Sequence, residues 1–330
     1  MVIGLIVGLV LLGVVLVALD WRQVRQVLGR ADGVLVPLAL LFTALSYACL
    51  SYGFAAVNRI FGIPMGQRDL FEIGFVSITL SHLMSAAGYP LRILLMQRRG
   101  LTVGDRLAAT LVHSYLNNLA LFVLLPFGLI NLLISHPLTR GETIGLGLAT
   151  GLLFLLFVVA AAVFFVSPVR SAVLRVLHRG MHALTRRDIG PTLEDFEATL
   201  TRGMKALRGR PLAIALPLAL IVADWSFTVI ALGFCFKALG TAVSPGVLVT
   251  GFAVGVAAGL LSLVPGGLGV QEGSMSGVYA LLGVPLEQAF LVSVLFRAVY
   301  YLIPFAIRAC PINLLEMVAM WGIMGPSTHL

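Results

Sequence analysis

The segment VPGGLGVQEG, residues 264–273, interrupts an apolar run with a proline and several glycines and places a carboxylate beside them. Three glycines could adopt positive φ and let a ligand approach the backbone closely: Gly266, Gly267 and Gly269. A helix that begins near Gly273 or Ser274 would direct its free N–H groups at the break, which suits an anionic group such as a lipid phosphate. Glu272 would then offset that field, cap the helix or titrate. A nucleotide site is disfavoured, because GxGxxE lacks the last glycine and no strand precedes it.

Ionisable side chains at membrane depth are the next candidates, because a charge there is costly unless it is paired or lies in a cavity. Asp224 lies near the middle of one apolar run and Arg297 near the middle of another. Opposite charges at matching depth indicate a buried pair. Such a pair would act either as a structural clamp or as a switch coupled to a proton or a headgroup.

A secondary polar cluster lies in LVHSYLNNLALF, where His113, Asn117 and Asn118 share a helix face at i, i+4 and i+5. Hydrogen bonding between helices is one interpretation of these residues. A contribution to a binding site is the other.

Composition identifies the elements that must position these residues. Of the 330 residues, 59% are hydrophobic and 11% are charged, with a mean hydropathy of +1.04, whereas a soluble globule needs far more surface charge. An all-α polytopic membrane protein is therefore predicted. Its net charge of +8 fits basic loops that face anionic lipid, and nucleic-acid binding is disfavoured. Cys49, Cys235 and Cys310 have no CxxC spacing, so neither a metal nor a cofactor is expected.

Apolar windows of about 20 residues, the length that crosses a hydrocarbon layer of about 30 Å, predict about eight spans. They lie near 2–19, 34–57, 106–133, 143–167, 211–236, 246–264, 287–307 and 311–324. The first is interpreted as a retained span, since it lacks a basic start and a cleavage site. Two further stretches, 70–99 and 265–285, are each predicted to be two half-helices around a break, the first at Gly88 and Pro90. Protein or a water-filled cavity must cover such a break.

The broken stretches occupy corresponding places in an internal repeat, with candidate units 70–133 and 247–307. GFVSITLSHLMS, from Gly74, aligns with GFAVGVAAGLLS, from Gly251. Paired interrupted segments in two halves indicate a transporter's binding site at the repeat interface. If 70–99 is re-entrant, the halves are inverted, which is the favoured prediction. If it crosses the membrane, the halves are parallel.

Residues 168–210 carry nine Lys and Arg against four Asp and Glu, so this basic amphipathic segment is predicted to be cytoplasmic. The same side is predicted for Arg92, Arg98, Arg99 and Arg106. The first loop carries Arg22, Arg25 and Arg30. In the re-entrant topology this basic loop would lie outside, which conflicts with the positive-inside rule. Apolar residues at helical spacing predict two helices on the inner leaflet. An ordinary basic connector is the alternative.

The most distinctive motifs are VPGGLGVQEG at 264–273 and LFRAVYYLIPF at 295–305. Together they resemble the transmembrane flippase-like domain of the lysylphosphatidylglycerol synthase family, and GYPLRILLM at 88–96 is similar to an earlier motif of that family. The resemblance covers roughly residues 1–310. It implies a stand-alone protein that moves or binds an anionic phospholipid, a polyprenyl-linked lipid or a hopanoid. The soluble aminoacyl-transferase domain of bifunctional members is not expected, since the chain ends at Leu330.

The same resemblance implies how the site residues act. Arg92, Arg297 and the glycine backbone would engage the lipid headgroup, while Tyr300 and Tyr301, in the motif that ends near Pro304, would line a groove. On this hypothesis, Glu272→Gln and Arg297→Ala spare folding but abolish lipid-dependent activity.

Three classes of function follow. The favoured class is a lipid transporter of a bacterial inner membrane, and the alternative is a scaffold that binds lipid or recruits a lipid-modifying enzyme. An intramembrane enzyme is disfavoured, because the sequence has no metal cluster, GxSxG or HExxH. A Walker A motif is also missing, which disfavours ATP hydrolysis by this chain.

Overall fold

The structure is a computed structural model that describes residues 19–83, 85–135, 139–185, 190–262 and 264–302, together with Gly13 and Val17. These residues form α-helices and no β-strand. The helices are α1 Trp21–Gly29, α2 Val36–Ile60, α3 Gln67–Leu83, α4 Ser85–Gln97, α5 Val103–Ser135, α6 Arg140–Phe165, α7 Ser167–Thr185, α8 Gly190–Gly209, α9 Ala215–Ala238, α10 Pro245–Leu261, α11 Val270–Leu281 and α12 Leu286–Arg297. Shorter turns are 3₁₀ at Gly33–Leu35, Pro211–Ile214 and Pro265–Gly267, and π-helical at Ala298–Leu302. Most of the predicted span 2–19, all of the predicted span 311–324, Cys310 and Pro304 lie outside the described residues.

Several of these helices are long and apolar enough to cross a membrane. In the described residues they are Gly33–Ile60, Val103–Leu132 and Pro211–Ala238. A fourth candidate consists of Phe154–Phe165 and Ser167–Gly180, which meet at 102°. α10 is apolar but has only 17 residues, about 26 Å at 1.5 Å per residue. The protein is an all-α integral membrane protein, as predicted, whereas the count of eight spans stays a prediction.

The central frame is the pair formed by α2 and α9, which pack along each other. Small buried residues on α2, such as Ala39 and Ser46, let the two backbones approach closely, as is usual between helices in membranes. Aromatic side chains then fill the space around the pair, including Tyr47 of α2 and Phe236 of α9. Two helical hairpins lie against this frame.

The first hairpin consists of α3 and α4. Gly88 of α4 lies directly against Ser81 and the carbonyl oxygen of Ser77 on α3, where a Cβ would overlap both serines. One turn later, Arg92 Nε donates a hydrogen bond to Ser77 Oγ at 2.9 Å. Later residues of α4 therefore meet the same or earlier residues of α3, so the two helices are antiparallel.

The position predicted for the first break was wrong. α4 begins at Ser85 and continues through Gly88 and Pro90, so neither residue breaks the helix. A proline removes one N–H from the helix interior, which this helix tolerates. Gly88 instead provides the close contact with α3.

The second hairpin consists of α10 and α11, which pack antiparallel through a ladder of glycines. The contacts are Gly251 with the Tyr279 ring, Gly255 with Met275 and Gly259 with Gln271. Tyr279 Oη also donates to the carbonyl oxygen of Leu248 at 3.0 Å. The break between these helices lies at Pro265–Gly267, where the sequence predicted it.

The two hairpins open toward opposite ends of the molecule. Asp69, early in α3, pairs with Arg99, just after α4, at 2.8 Å, so the first hairpin enters and leaves at the end where α5 begins. At the other end of α5, Asn131 Nδ2 donates to Thr250 Oγ1, near the start of α10, at 3.0 Å. Gln288 of α12 donates to the carbonyl oxygen of Leu239 at 2.9 Å, which brings the start of α12 to the end of α9.

We call the first of these ends the basic end, defined by residues 61–66, 98–103, 166–185 and 190–211, and the other the distal end, defined by 238–246 and 281–286. Helix α8 caps α5 at the basic end, because Gly104 N donates to Asp195 Oδ2 at 2.7 Å. Arg202 of α8 also pairs with Asp105 of α5 at 2.7 Å. The predicted pair of helices within 168–210 therefore exists, and its second helix lies beside the start of α5.

Candidate functional site

The glycine turn of the second hairpin is built around Glu272. Gly266, Gly267 and Gly269 have φ values of 63°, 62° and 78°, a conformation in which a side chain would be strained. Glycine is therefore needed at all three positions. Gly269 is the N-cap of α11, and its N–H donates to Glu272 Oε2 at 2.7 Å.

Among the roles that the sequence left open for Glu272, the structure shows the cap. The helix begins at Val270, not at Gly273, so Glu272 lies in its first turn. Its carboxylate is the anion that the N-terminus of α11 attracts.

Arg297, at the end of α12, fastens this turn. Its Nε forms an ion pair with Glu272 Oε1. Its Nη1 and Nη2 donate to the carbonyl oxygen of Gly266 at 3.0 and 3.1 Å. The guanidinium also lies over the Tyr301 ring, 4.7 Å from its centroid. Arg297 thus connects three elements: the glycine turn at Pro265–Gly267, helix α11 and the π-helical turn at Ala298–Leu302.

The predicted pair of Asp224 with Arg297 was wrong. Arg297 is directed to Glu272, while Asp224 accepts a hydrogen bond from Ser46 Oγ of α2. Tyr300 Oη lies 2.7 Å from Ser46 Oγ and 3.0 Å from Thr228 Oγ1. Depth along a helix can be estimated from the sequence, but the direction of the side chain around the helix axis cannot, and this explains the error.

Through Tyr300, these contacts connect Asp224 to the motif at 295–305 that also contains Arg297. Tyr47 Oη reinforces the connection by donating to the carbonyl oxygen of Tyr300 at 2.9 Å. Tyr300 and Tyr301 are only 5% and 8% exposed, so they pack inside the protein, with Tyr300 against α2, instead of lining an open groove. Isolated π-helical turns are rare and occur often at functional sites.

Arg92 lies in the first hairpin and has a different environment. It is 2% exposed, and its guanidinium lies over the Phe54 ring, 4.4 Å from the centroid. Besides Ser77, its hydrogen-bonding partner is His113 Nδ1, which accepts from Nη1 at 3.3 Å. Within the described ranges no carboxylate pairs with Arg92. A buried cation with neutral partners only is unusual and marks this position.

The polar cluster of α5 divides among three partners. His113 contacts Arg92. Asn117 accepts from Trp225 Nε1 of α9, at 3.1 Å to its carbonyl oxygen and 3.2 Å to Oδ1, which confirms hydrogen bonding between helices. Asn118 Nδ2 donates to the carbonyl oxygen of Ser114 one turn earlier in its own helix.

The two halves approach each other at the glycine turn, because Pro265–Gly267 contacts both α3 and α4. The glycine turn and the hairpin that carries Arg92 are therefore neighbours. No group of three His, Cys, Asp or Glu side chains suited to a metal occurs in the part of the chain that the structure describes.

Known proteins resemble the chain over nearly its whole length. A family model described as the lysylphosphatidylglycerol synthase TM region matches residues 1–307. The chain belongs to this family. A "UPF0104 membrane protein" of the archaeon Methanothermobacter thermautotrophicus is 22% identical over 311 residues, which is 90% of each chain. A second protein of that description from the same organism is 32% identical over 80 residues, 24% of this chain and 23% of the relative.

Membership confirms the resemblance that the two motifs indicated. The match includes both hairpins and every predicted site residue. Sequence reasoning missed the uncharged residues that contact Arg92, Asp224 and Tyr300, chiefly Phe54, Ser77, Ser46 and Thr228. Hydroxyl residues inside an apolar span are a weak signal for such contacts, and an aromatic residue gives none.

Proposed function

We propose that this membrane protein of the lysylphosphatidylglycerol synthase transmembrane family binds the anionic headgroup of a lipid and moves it between the leaflets. The observation that carries the proposal is Arg92, which is buried at 2% exposure without a carboxylate partner in the described residues. Burying an unpaired charge is costly. A lipid phosphate would supply the missing anion and form charge-assisted hydrogen bonds with the guanidinium.

Phosphate chemistry limits the substrate class. An anionic phospholipid and a polyprenyl phosphate both carry the required group. A hopanoid without an anionic group would not use Arg92. The glycine turn, fastened by Glu272 and Arg297, then acts as the neighbouring wall of the site.

An inverted repeat of two re-entrant hairpins is part of the proposal. It is supported by the opposite openings of the hairpins, and by helices α3, α4 and α11, which at 17, 13 and 12 residues are shorter than the roughly 20 residues of a span. We place the basic end in the cytoplasm under the positive-inside rule. The membrane proposed is a bacterial inner membrane or, as for the archaeal relatives, its counterpart.

Proton coupling through Asp224 is the energy source that the contacts favour. Glu272 already forms an ion pair with Arg297 and accepts a hydrogen bond from the N–H of Gly269. Asp224, in contrast, has hydroxyl partners and no cation in the described residues. A proton is the smallest counter-charge that such a buried carboxyl can take. A pH gradient across proteoliposomes should therefore change the transport rate of the wild type and leave that of Asp224→Asn unchanged.

The decisive experiment measures translocation of labelled phosphatidylglycerol and labelled polyprenyl phosphate in proteoliposomes. Arg92→Gln should lower the rate by about 10- to 100-fold, the equivalent of a lost charge-assisted hydrogen bond. Arg98→Gln, which removes an exposed arginine just after the same helix, is the matched control and should transport normally. Equal rates for all three proteins would refute the role of Arg92.

A scaffold that binds lipid without moving it is the second candidate. Family membership and a buried headgroup site support it equally well. Lipid that co-purifies with wild type but not with Arg92→Gln, combined with no translocation, would favour the scaffold. Release of a chemically altered lipid would instead indicate an enzyme, which the sequence disfavours.

A further inference from the structure

Helix α7 leaves the preceding helix at an angle suited to a membrane surface. α6 ends at Phe165, and the directions of 154–165 and 167–180 differ by 102°. Pro168 lies in the first turn of α7, where a proline starts a helix readily. If α6 crosses the bilayer, α7 runs nearly parallel to the membrane plane.

One face of α7 is packed inside the protein. Arg170 is 5% exposed and donates to the carbonyl oxygen of Phe164 at 3.1 Å. It also lies 3.6 Å from Glu197 Oε1 of α8. Ser171 donates to the same Glu197 oxygen at 2.9 Å, and Leu174 is buried beside them. The orientation of α7 about its own axis is therefore determined by α8.

The other face carries an apolar stripe that the described protein does not cover. It consists of Val169, Val173, Val176 and Leu177, which are 36%, 40%, 68% and 47% exposed. The spacing of four, three and one residues places them on one face of the helix. We call these four residues the α7 stripe.

The α7 stripe continues the lipid-facing surface of α6. Exposed apolar side chains run down α6 to its end and pass through the bend: Phe154, Leu155, Val158, Phe165 and Val166. The material that covers α6 thus extends to the stripe without interruption. If α6 crosses the bilayer, that material is lipid.

Two arginines lie outside the stripe on α7: Arg179 flanks it beside Val176, and Arg175 lies on the side that faces α8. Arg175 and Arg179 are exposed, and neither forms an ion pair in the described ranges. They line a cavity of about 410 Å³ between α7 and α8. Its acidic members are Glu194 and Glu197, and the charge of Glu197 is already balanced by Arg170.

We infer that α7 lies in the headgroup layer at the basic end, with the α7 stripe in the acyl region and Arg175 and Arg179 on anionic headgroups. The partner is an anionic lipid surface, recognised by apolar insertion beside basic side chains. This surface is separate from Arg92 and does not depend on transport.

Two probes on the full-length protein test the placement. In a variant without Cys49, Cys235 and Cys310, a spin label at Val176→Cys should be reached by oxygen more readily than by a water-soluble nickel chelate. The same label at Lys205→Cys, on the exposed face of α8, should show the reverse. A Val176 label with the accessibility of Lys205 would overturn the inference.

The charge component is tested by lipid retention. Arg175→Gln/Arg179→Gln should keep fewer phosphatidylglycerol molecules than wild type after reconstitution in nanodiscs of mixed phosphatidylglycerol and phosphatidylcholine. Arg22→Gln/Arg25→Gln removes two exposed arginines from α1, far from α7, and is the matched control. An equal loss in both double variants would mean that only net charge matters, and this also would overturn the inference.

Discussion

The first hairpin contains a buried arginine, Arg92, a half-buried arginine of α12, Arg297, contacts the second hairpin, and the two arginines have opposite environments. Arg297 contacts Glu272, the carbonyl oxygen of Gly266 and the Tyr301 ring. Arg92 contacts a serine, a histidine and a phenylalanine. The hairpin scaffold is similar, but only the second arginine has a carboxylate in the described chain.

This difference teaches how one scaffold can serve two purposes. A buried ion pair with additional hydrogen bonds maintains a particular geometry, and removing one partner is strongly destabilising. A buried charge without a counter-charge costs stability, and an anionic ligand that pairs with it would offset that cost. The contacts at the second hairpin are those of a clamp, whereas under the proposed function the first hairpin is the receptor for an anion.

The largest expected effect is on the clamp. Arg297→Ala should lower the free energy of unfolding by about 3–5 kcal/mol, because Glu272 would remain buried without its cation. Chemical unfolding in detergent micelles would measure the change. Glu272→Gln/Arg297→Gln removes both charges and should be more stable than Arg297→Ala. If Arg297→Ala were as stable as the wild type, the clamp would be contradicted. The outcome expected from the sequence, in which this substitution spares folding, would then hold.

The receptor should respond to lipid. Phosphatidylglycerol at about one hundred times its Kd should raise the free energy of unfolding of the wild type by about 2.7 kcal/mol, through mass action. Arg92→Gln should lose that increase, whereas Arg98→Gln should keep it. The measurement is the lipid dependence of Tm. If phosphatidylglycerol still raised the Tm of Arg92→Gln, its anionic headgroup would bind at another site.

The glycine ladder of the second hairpin should be intolerant of side chains. In Gly251→Ala the new Cβ would overlap the Tyr279 ring, and overpacking of this kind typically costs about 1–3 kcal/mol. Gly277→Ala is the control in the same hairpin, because nothing lies within 4 Å of its Cβ position. Its helix should gain up to about 1 kcal/mol. Similar unfolding midpoints for the two variants would show that the ladder is loose.

The smallest effect concerns the neutral link between α5 and the central frame. Trp225→Phe should cost about 0.6 kcal/mol, the average value of a hydrogen bond between helices in a membrane, since Asn117 loses its donor. Asn118→Ala removes a bond within one helix and serves for comparison. A loss of several kcal/mol in Trp225→Phe would mean that the polar cluster of α5 supports the first half more than its contacts indicate.

Much of the fold follows from the sequence, because apolar run length and glycine-proline punctuation are local signals. The central spans, the two broken stretches and the helix pair at 168–210 all appear where the hydropathy pattern places them. The break near Gly88 was misplaced, since the proline that suggested it is tolerated inside α4. What Gly88 does depends on Ser77 and Ser81, which lie on another helix.

The sequence indicated which residues belong to the candidate site, but it did not indicate which of them pair with each other. Sequence position indicated that Arg92, Asp224, Glu272 and Arg297 lie in the membrane. Which acid meets which base depends on the rotation of each helix about its axis, and one apolar helix surface resembles another. The cap at Glu272 was among the stated alternatives because its signal is local, whereas the Ser46 contact of Asp224 spans 178 residues.

The contact of Pro265–Gly267 with α3 and α4 has an electrical consequence. In the proposed arrangement of two re-entrant hairpins that open to opposite ends, the glycine turn and the first hairpin would form a layer of protein thinner than the bilayer. Most of the transmembrane voltage would then fall across that layer instead of across the whole bilayer thickness. An anionic headgroup crossing it would experience nearly the full potential over a few ångströms, about 2.3 kcal/mol per elementary charge at 100 mV. The proposed lipid movement should therefore depend on voltage, and the sign of the potential would favour one direction of transfer.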